Sequence, residues 1–136
     1  MVNKVYLTPE GLIEIWVIGD QTAESVREMG EKLSFYTSDR RRQHLPVLVL
    51  DNLIKMGHTT SEARREVGRI AKALDCDRAA MVGDGSRPMR YGTNLMLKAI
   101  GRGNIRYFGG MESARKWLLE LAYTKPSRPD RENSQL

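Results

Sequence analysis

The sequence predicts an α/β domain: a mostly parallel five-stranded sheet with one antiparallel edge strand, in the order β-β-α-β-α-β-α-β-α. Three observations carry this. Alternating apolar positions on both sides of Thr8-Pro9-Glu10-Gly11 mark an antiparallel hairpin, because Pro then Gly is turn chemistry. Val47-Leu48-Val49-Leu50 and Ala79-Ala80-Met81-Val82 are short unbroken apolar runs, the pattern of strands buried on both faces. Amphipathic helical patterns separate the later strands, so right-handed crossovers make neighbouring strands parallel.

Taken in order, Val5 and Leu7 belong to the first strand and Leu12 to Ile18 to the second, which Gly19-Asp20 closes. Thr22 is placed to cap a helix whose Val26, Met29, Leu33 and Tyr36 recur at helical spacing. The run Arg40-Arg41-Arg42 follows it, and Pro46 opens the third strand, which ends at Asp51. Asp51 through Ser61 reads as a loop. Thr59 with Glu62 spells a capping box for a second helix with Ala63, Val67, Ile70, Ala71 and Leu74 inward. Gly83-Asp84-Gly85-Ser86 closes the fourth strand, and Pro88 starts a third helix carrying Met89, Leu95, Met96, Ala99 and Ile100. Ile105 to Phe108 is the last strand, and Ala114, Trp117, Leu118 and Leu121 form the inward face of a fourth helix. Residues 1–123 form the domain; 124–136 turn polar and Pro-rich and read as a disordered tail.

Composition excludes several classes. The chain has 136 residues, 40% hydrophobic and 29% charged, one domain's worth and too apolar for disorder throughout. It contains neither an apolar run long enough for a bilayer nor a secretory leader, so a cytoplasmic location is expected. A single cysteine, Cys76, rules out an internal disulfide and a cysteine-built zinc site. No cofactor motif is present. The net charge of +5 divides into +1 on the tail and +4 on the body.

The motifs V-L-V-L-D, R-A-A-M-V-G and R-Y-F-G-G-M-E-S-A-R-K-W-L, in this order and spacing over roughly residues 3–122, resemble the SpoIIAA-like proteins of the STAS domain group. That resemblance implies a small sheet backed by helices and a binding or regulatory role without catalysis. It also implies two further readings: control by phosphorylation at a helix start, as in anti-sigma factor antagonists, and likeness in fold to lipid-binding CRAL-TRIO domains. The antagonists carry an Asp-Ser-Ser-Gly-like run where this chain has His58-Thr59-Thr60-Ser61 with no following glycine.

Open α/β sheets place ligands at the carboxyl ends of their strands. There the loops gather Asp51, His58, Thr59, Thr60, Asp84 and Ser86, a candidate ligand or phosphate site facing a helix N-terminus. Thr59, Thr60 and Ser61 are the candidate phospho-acceptors, the plainer role being an N-cap. Gly83 to Ser86 lacks the lysine and length of a Walker loop and reads as a tight turn. A hydrolase triad is disfavoured because the G-x-S-x-G elbow is absent, and a metal site of Asp51, His58 and Asp84 needs a fixed spacing and supporting contacts that the sequence does not display. Cys76 falls at the opposite edge. An apolar surface between the second and third helices, with Met56, Met81, Met89, Met96, Tyr91 and Trp117 nearby, is a candidate for a lipid-like molecule.

Arg40, Arg41, Arg42, Arg78, Arg102 and Arg106 all fall near the amino ends of the parallel strands and form a basic rim. Such a rim suits an anionic membrane surface; without an aromatic platform or recognition motif, nucleic acid is disfavoured. The expected partners are therefore a lipid-like small molecule or a regulatory protein, with the oligomeric state open. A small enzyme using the carboxyl edge is the remaining alternative.

Overall fold

Thr8 and Gly11 close the first turn: the Gly11 amide donates to the Thr8 carbonyl at 3.0 Å, and Gly11 takes the positive φ of 95° that the turn needs. In the computed structural model, which describes residues 2–84, Ser86 and 103–124, this turn joins β1 (Lys4–Leu7) to β2 (Leu12–Trp16) as an antiparallel pair. β4 (Leu48–Asn52), β6 (Arg78–Val82) and β7 (Ile105–Phe108) then add in parallel, giving the order β1-β2-β4-β6-β7. This is the expected mostly parallel sheet with its antiparallel edge strand.

The continuous apolar runs serve two cores. Val47 and Val49 join Ile13, Ile15, Ala79 and Met81 on one face, under Met29 and Leu33 of α1 (Ala23–Arg42), Ile70 of α2 (Ser61–Ala73) and Leu74 at the C-cap of α2. Leu48 and Leu50 join Leu12, Ala80 and Val82 on the other, under Ala114 and Leu118 of α3 (Met111–Thr124). Alternation along each strand sends successive side chains to opposite layers, so both faces must be covered. α1 and α2 pack closely at Gly30, where a Cβ would lie 2.6 Å from Ile70 Cδ1.

Three elements differ from the sequence reading. The second strand stops at Trp16 instead of running to Ile18, and the chain forms a separate strand, β3 (Gly19–Gln21). β3 pairs in parallel with β5 (Met56–Thr59), inside the segment read as a loop, to make a two-stranded sheet beside the main one. Third, the cap of α2 is Thr60, whose Oγ1 accepts from the Ala63 amide at 3.0 Å; Thr59 is the last residue of β5 and does not form the box with Glu62. At α1, Thr22 does cap, and Ser25 completes a reciprocal box. The helix expected over Pro88 to Ile100 and the tail from 125 lie outside the described residues. No helix among the described residues is long and apolar enough to cross a membrane.

Candidate functional site

The carboxyl ends of β2, β4 and β6 do bring the predicted loops together, but their side chains occupy different layers. Asp51 sits in register between Ile15 of β2 and Met81 of β6. It therefore points into the layer beneath α1 and α2. The residue is only partly buried, yet its Oδ1 is sealed from solvent and finds no hydrogen-bond partner among the described residues. Burial pushes its carboxyl up from 3.8 to about 7. It is a stored electrostatic cost on an otherwise apolar surface.

His58 and Asp20 lie outside this layer. The exposed His58 amide donates to Asp20 Oδ1 at 2.8 Å, fastening β5 to β3. Gly57 permits that approach, since a Cβ there would come within 2.5 Å of the same oxygen. Gln21, 3% exposed, donates to Asn3 Oδ1 and to the Ile18 and Gly19 carbonyls, each at 3.1 Å. Asp84 is exposed, and the Ser86 amide donating to its Oδ1 at 2.8 Å holds its carboxyl below the usual range. That bond is a local turn contact. No group of three or more His, Cys, Asp or Glu side chains among the described residues is arranged to hold a metal ion.

Thr59, Thr60 and Ser61 do lie together at the start of α2. Thr60 is committed to capping, with its own amide donating to the Gln21 carbonyl at 3.3 Å. Ser61 is exposed and its hydroxyl lies 3.4 Å from Glu62, while Arg64 donates to the Thr59 carbonyl at 2.6 Å.

The basic rim divides. Arg41 grips Asp75 at 3.0 Å and Asp77 at 3.1 Å, Arg42 pairs with Asp39 at 2.6 Å, and Arg40 donates to the Pro46 carbonyl. His44, at φ 59°, ends α1 in the left-handed conformation usually taken by glycine. Arg78 and Arg106 instead lie on the α3 side of the sheet, both over the Trp117 ring, 4.7 and 5.1 Å from its centroid. Arg78 also donates to the Trp117 carbonyl and pairs with Glu120. Arg102 lies outside the described residues. The amino-edge arginines thus serve mainly to tie elements together.

Three features escaped the sequence reading. A groove of about 580 Å³ runs between α1 and α2, open to solvent, with Leu33, Ile70 and Leu74 on its floor and Ser34, Ser38 and Asp75 at its lip. Its location was hidden because two helix faces had to be paired before it existed. Of the predicted apolar patch, Met81 and Met56 belong to the core under α1 and α2, and Trp117, on α3, packs against the core on the other face; Met89, Tyr91 and Met96 lie outside the described residues. The second feature is a set of cations on the exposed side of α2. Arg65, Arg69 and Lys72 recur at steps of four and three, a spacing visible in the sequence. The third is a buried polar cluster: Glu14, 2% exposed, accepts from Trp16 Nε1 at 2.8 Å and pairs with Arg115 of α3 at 3.0 Å.

By sequence, no family profile and no curated protein matches the chain. Solved structures do match in shape. An uncharacterised DUF3478-family protein of Shewanella loihica with a SpoIIAA-like fold superposes with a TM-score of 0.64 at 15% identity, covering 86% of this chain and 92% of that one. The unphosphorylated anti-sigma factor antagonist SpoIIAA superposes at 0.59 and 13% identity, covering 88% and 98%. With overlap so nearly complete, and with two helices on one face of the sheet and the closing helix on the other, the chain has the SpoIIAA-like fold.

Proposed function

We propose that the chain is a non-catalytic binding module of the STAS type, working in the cytoplasm, and that its partner is a protein segment seated in the groove between α1 and α2. The groove carries this reading. It is an open groove with an apolar floor and polar lips, the form that receives a helix or an extended peptide, whereas lipid-sized ligands are held in enclosed cavities. At the carboxyl edge, Asp51 faces an apolar layer with its Oδ1 unpartnered among the described residues, and the His58 backbone amide serves to tie β5 to β3. The likeness in fold to an anti-sigma factor antagonist agrees with a role in protein recognition.

The test is selection of peptides displayed on phage against the full chain, followed by affinity measurement on Ser38→Trp, which fills the exposed lip of the groove. Selected peptides are expected to carry an aromatic or leucine anchor and to lose at least about tenfold in affinity on the variant. Equal binding to Ser38→Trp, or uptake of a fatty-acid probe that the peptides cannot displace, overturns the reading.

A second reading is favoured by one observation. Ser61 is exposed at the start of α2, where the helix dipole favours an added phosphate, with Arg64 and Arg65 in the same turn. Phosphorylation there would switch partner binding. Ser61 found unmodified by mass spectrometry, in protein from its native host under varied growth conditions, removes this reading.

A further inference from the structure

The surface that carries the groove also carries a protrusion of matching character. Phe35, on the crest of α1, is 64% exposed, the most exposed of the large apolar side chains within the described helices. Tyr36 supports its ring edge-on at 5.5 Å, so the knob is held upright. It lies three residues, about one helical turn, from Ser38 on the groove lip, so the knob stands next to the groove.

The charges around them are complementary. Glu28 and Glu31 flank Phe35 on the exposed side of α1 and have no ion-pair partner among the described residues. Asp39, one turn further on, is neutralised by Arg42, and Lys32 lies among them. Across the groove, Arg65 and Lys72 on α2 are likewise unpaired among the described residues, while Arg69 pairs with Glu66 at 2.9 Å. Within one copy these sets flank the groove; between two copies, a two-fold rotation brings each set against its opposite.

Resting on the groove reading, we propose that the segment seated there belongs to a second copy of this chain: a two-fold dimer in which each Phe35 enters the other copy's α1–α2 groove. Glu28 and Glu31 of each α1 then face Arg65, Arg69 and Lys72 of the opposite α2. A self-complementary patch of this kind closes on itself and stops at two copies. The face is about 30 Å long, from the rise of α1, and roughly 20 Å across two helices, so each copy buries on the order of 600 Å². That is below the standard interface, and the dimer is correspondingly weak and dependent on salt.

Sedimentation equilibrium of the full chain, over a wide concentration range at low and high salt, tests this. The expected result is a monomer–dimer equilibrium that shifts to monomer as salt rises. Phe35→Ser, a surface change, weakens dimerisation at least about tenfold. Glu28→Lys with Glu31→Lys and, separately, Arg65→Glu with Lys72→Glu each abolish self-association, and mixing these two variants restores a one-to-one complex. A wild-type chain that stays monomeric at low salt, or two charge variants that fail to combine, overturns the dimer. Displayed peptides that still bind the groove of such a monomer leave the binding-module reading standing, so the two failures are distinguishable.

Discussion

Arg115 of α3 reaches Glu14 of β2 at 3.0 Å, joining residues 101 positions apart across the face of the sheet. Glu14 is almost wholly buried, and its second oxygen accepts from Trp16 Nε1, which also donates to the Tyr6 hydroxyl at 3.0 Å. The carboxylate is therefore tolerable only while both partners are present. Arg115→Leu, which strands it, is expected to cost about 2–4 kcal/mol in chemical denaturation. Adding Glu14→Leu to that variant is expected to recover most of the loss, because the uncompensated charge is then gone.

Asp51 predicts a pH dependence opposite to that of a carboxylate held by an ion pair or hydrogen bonds. The folded chain holds the proton up to about pH 7, whereas the unfolded chain releases it near 3.8. The folded state thus binds more protons between these values, so this group's contribution to stability falls as pH rises from about 4 to about 7 and is flat above. The gap corresponds to at most ~4 kcal/mol. Asp51→Asn is expected to stabilise the protein by about 1–3 kcal/mol at pH 8 and to flatten the profile. Urea denaturation at pH 5 and pH 8 is the measurement, and destabilisation at pH 8 contradicts the assignment.

Gly57 is needed for lack of room. A Cβ would meet Asp20 Oδ1 at 2.5 Å and the backbone at Gly19 and Asp20 at 3.1 and 3.2 Å. Gly57→Ala is expected to cost about 1–3 kcal/mol, with the loss of amide protection confined first to β3 and β5. Hydrogen exchange read residue by residue checks both parts.

The cap of α2 distinguishes neighbouring hydroxyls. Thr60→Ala removes the acceptor for the Ala63 amide and is expected to cost about 1 kcal/mol, while Ser61→Ala is expected to stay within ~0.5 kcal/mol. Thermal melts of the two variants make the comparison.

These residues also show where sequence is informative. The hairpin was legible because Pro9 and Gly11 dictate a turn, and the central strands because apolar runs of four admit few other homes. β5 was not, since Met56-Gly57-His58-Thr59 has neither alternation nor strong strand propensity. It is extended because β3 and Asp20 hold it. Thr59 and Glu62 spell a capping box one residue out of phase with the real start of the helix, the usual margin at helix ends. Asp51 was legible as the end of a strand; its isolation depends on Ile15 and Met81, which only the register brings alongside. The run Arg40-Arg41-Arg42 was visible as charge, but Asp75 and Asp77, which occupy Arg41, arrive from 34 and 36 residues away.

The small β3–β5 sheet has a consequence for how the chain folds. β2 and β4 are offset by 36 residues, from Leu12↔Leu48 to Trp16↔Asn52, whereas Gly19↔Met56 and Gln21↔Thr59 are offset by 37 and 38. The same two stretches of chain thus pair twice, with one residue of slack taken up before β5 at the turn of Ile54 and Lys55 and the other by an irregularity between Gly19 and Gln21. Sliding either strand by one place would break the second pairing as well as the first. The outer pair acts as a ratchet pawl, letting the two halves of the chain zip together in one alignment and no other.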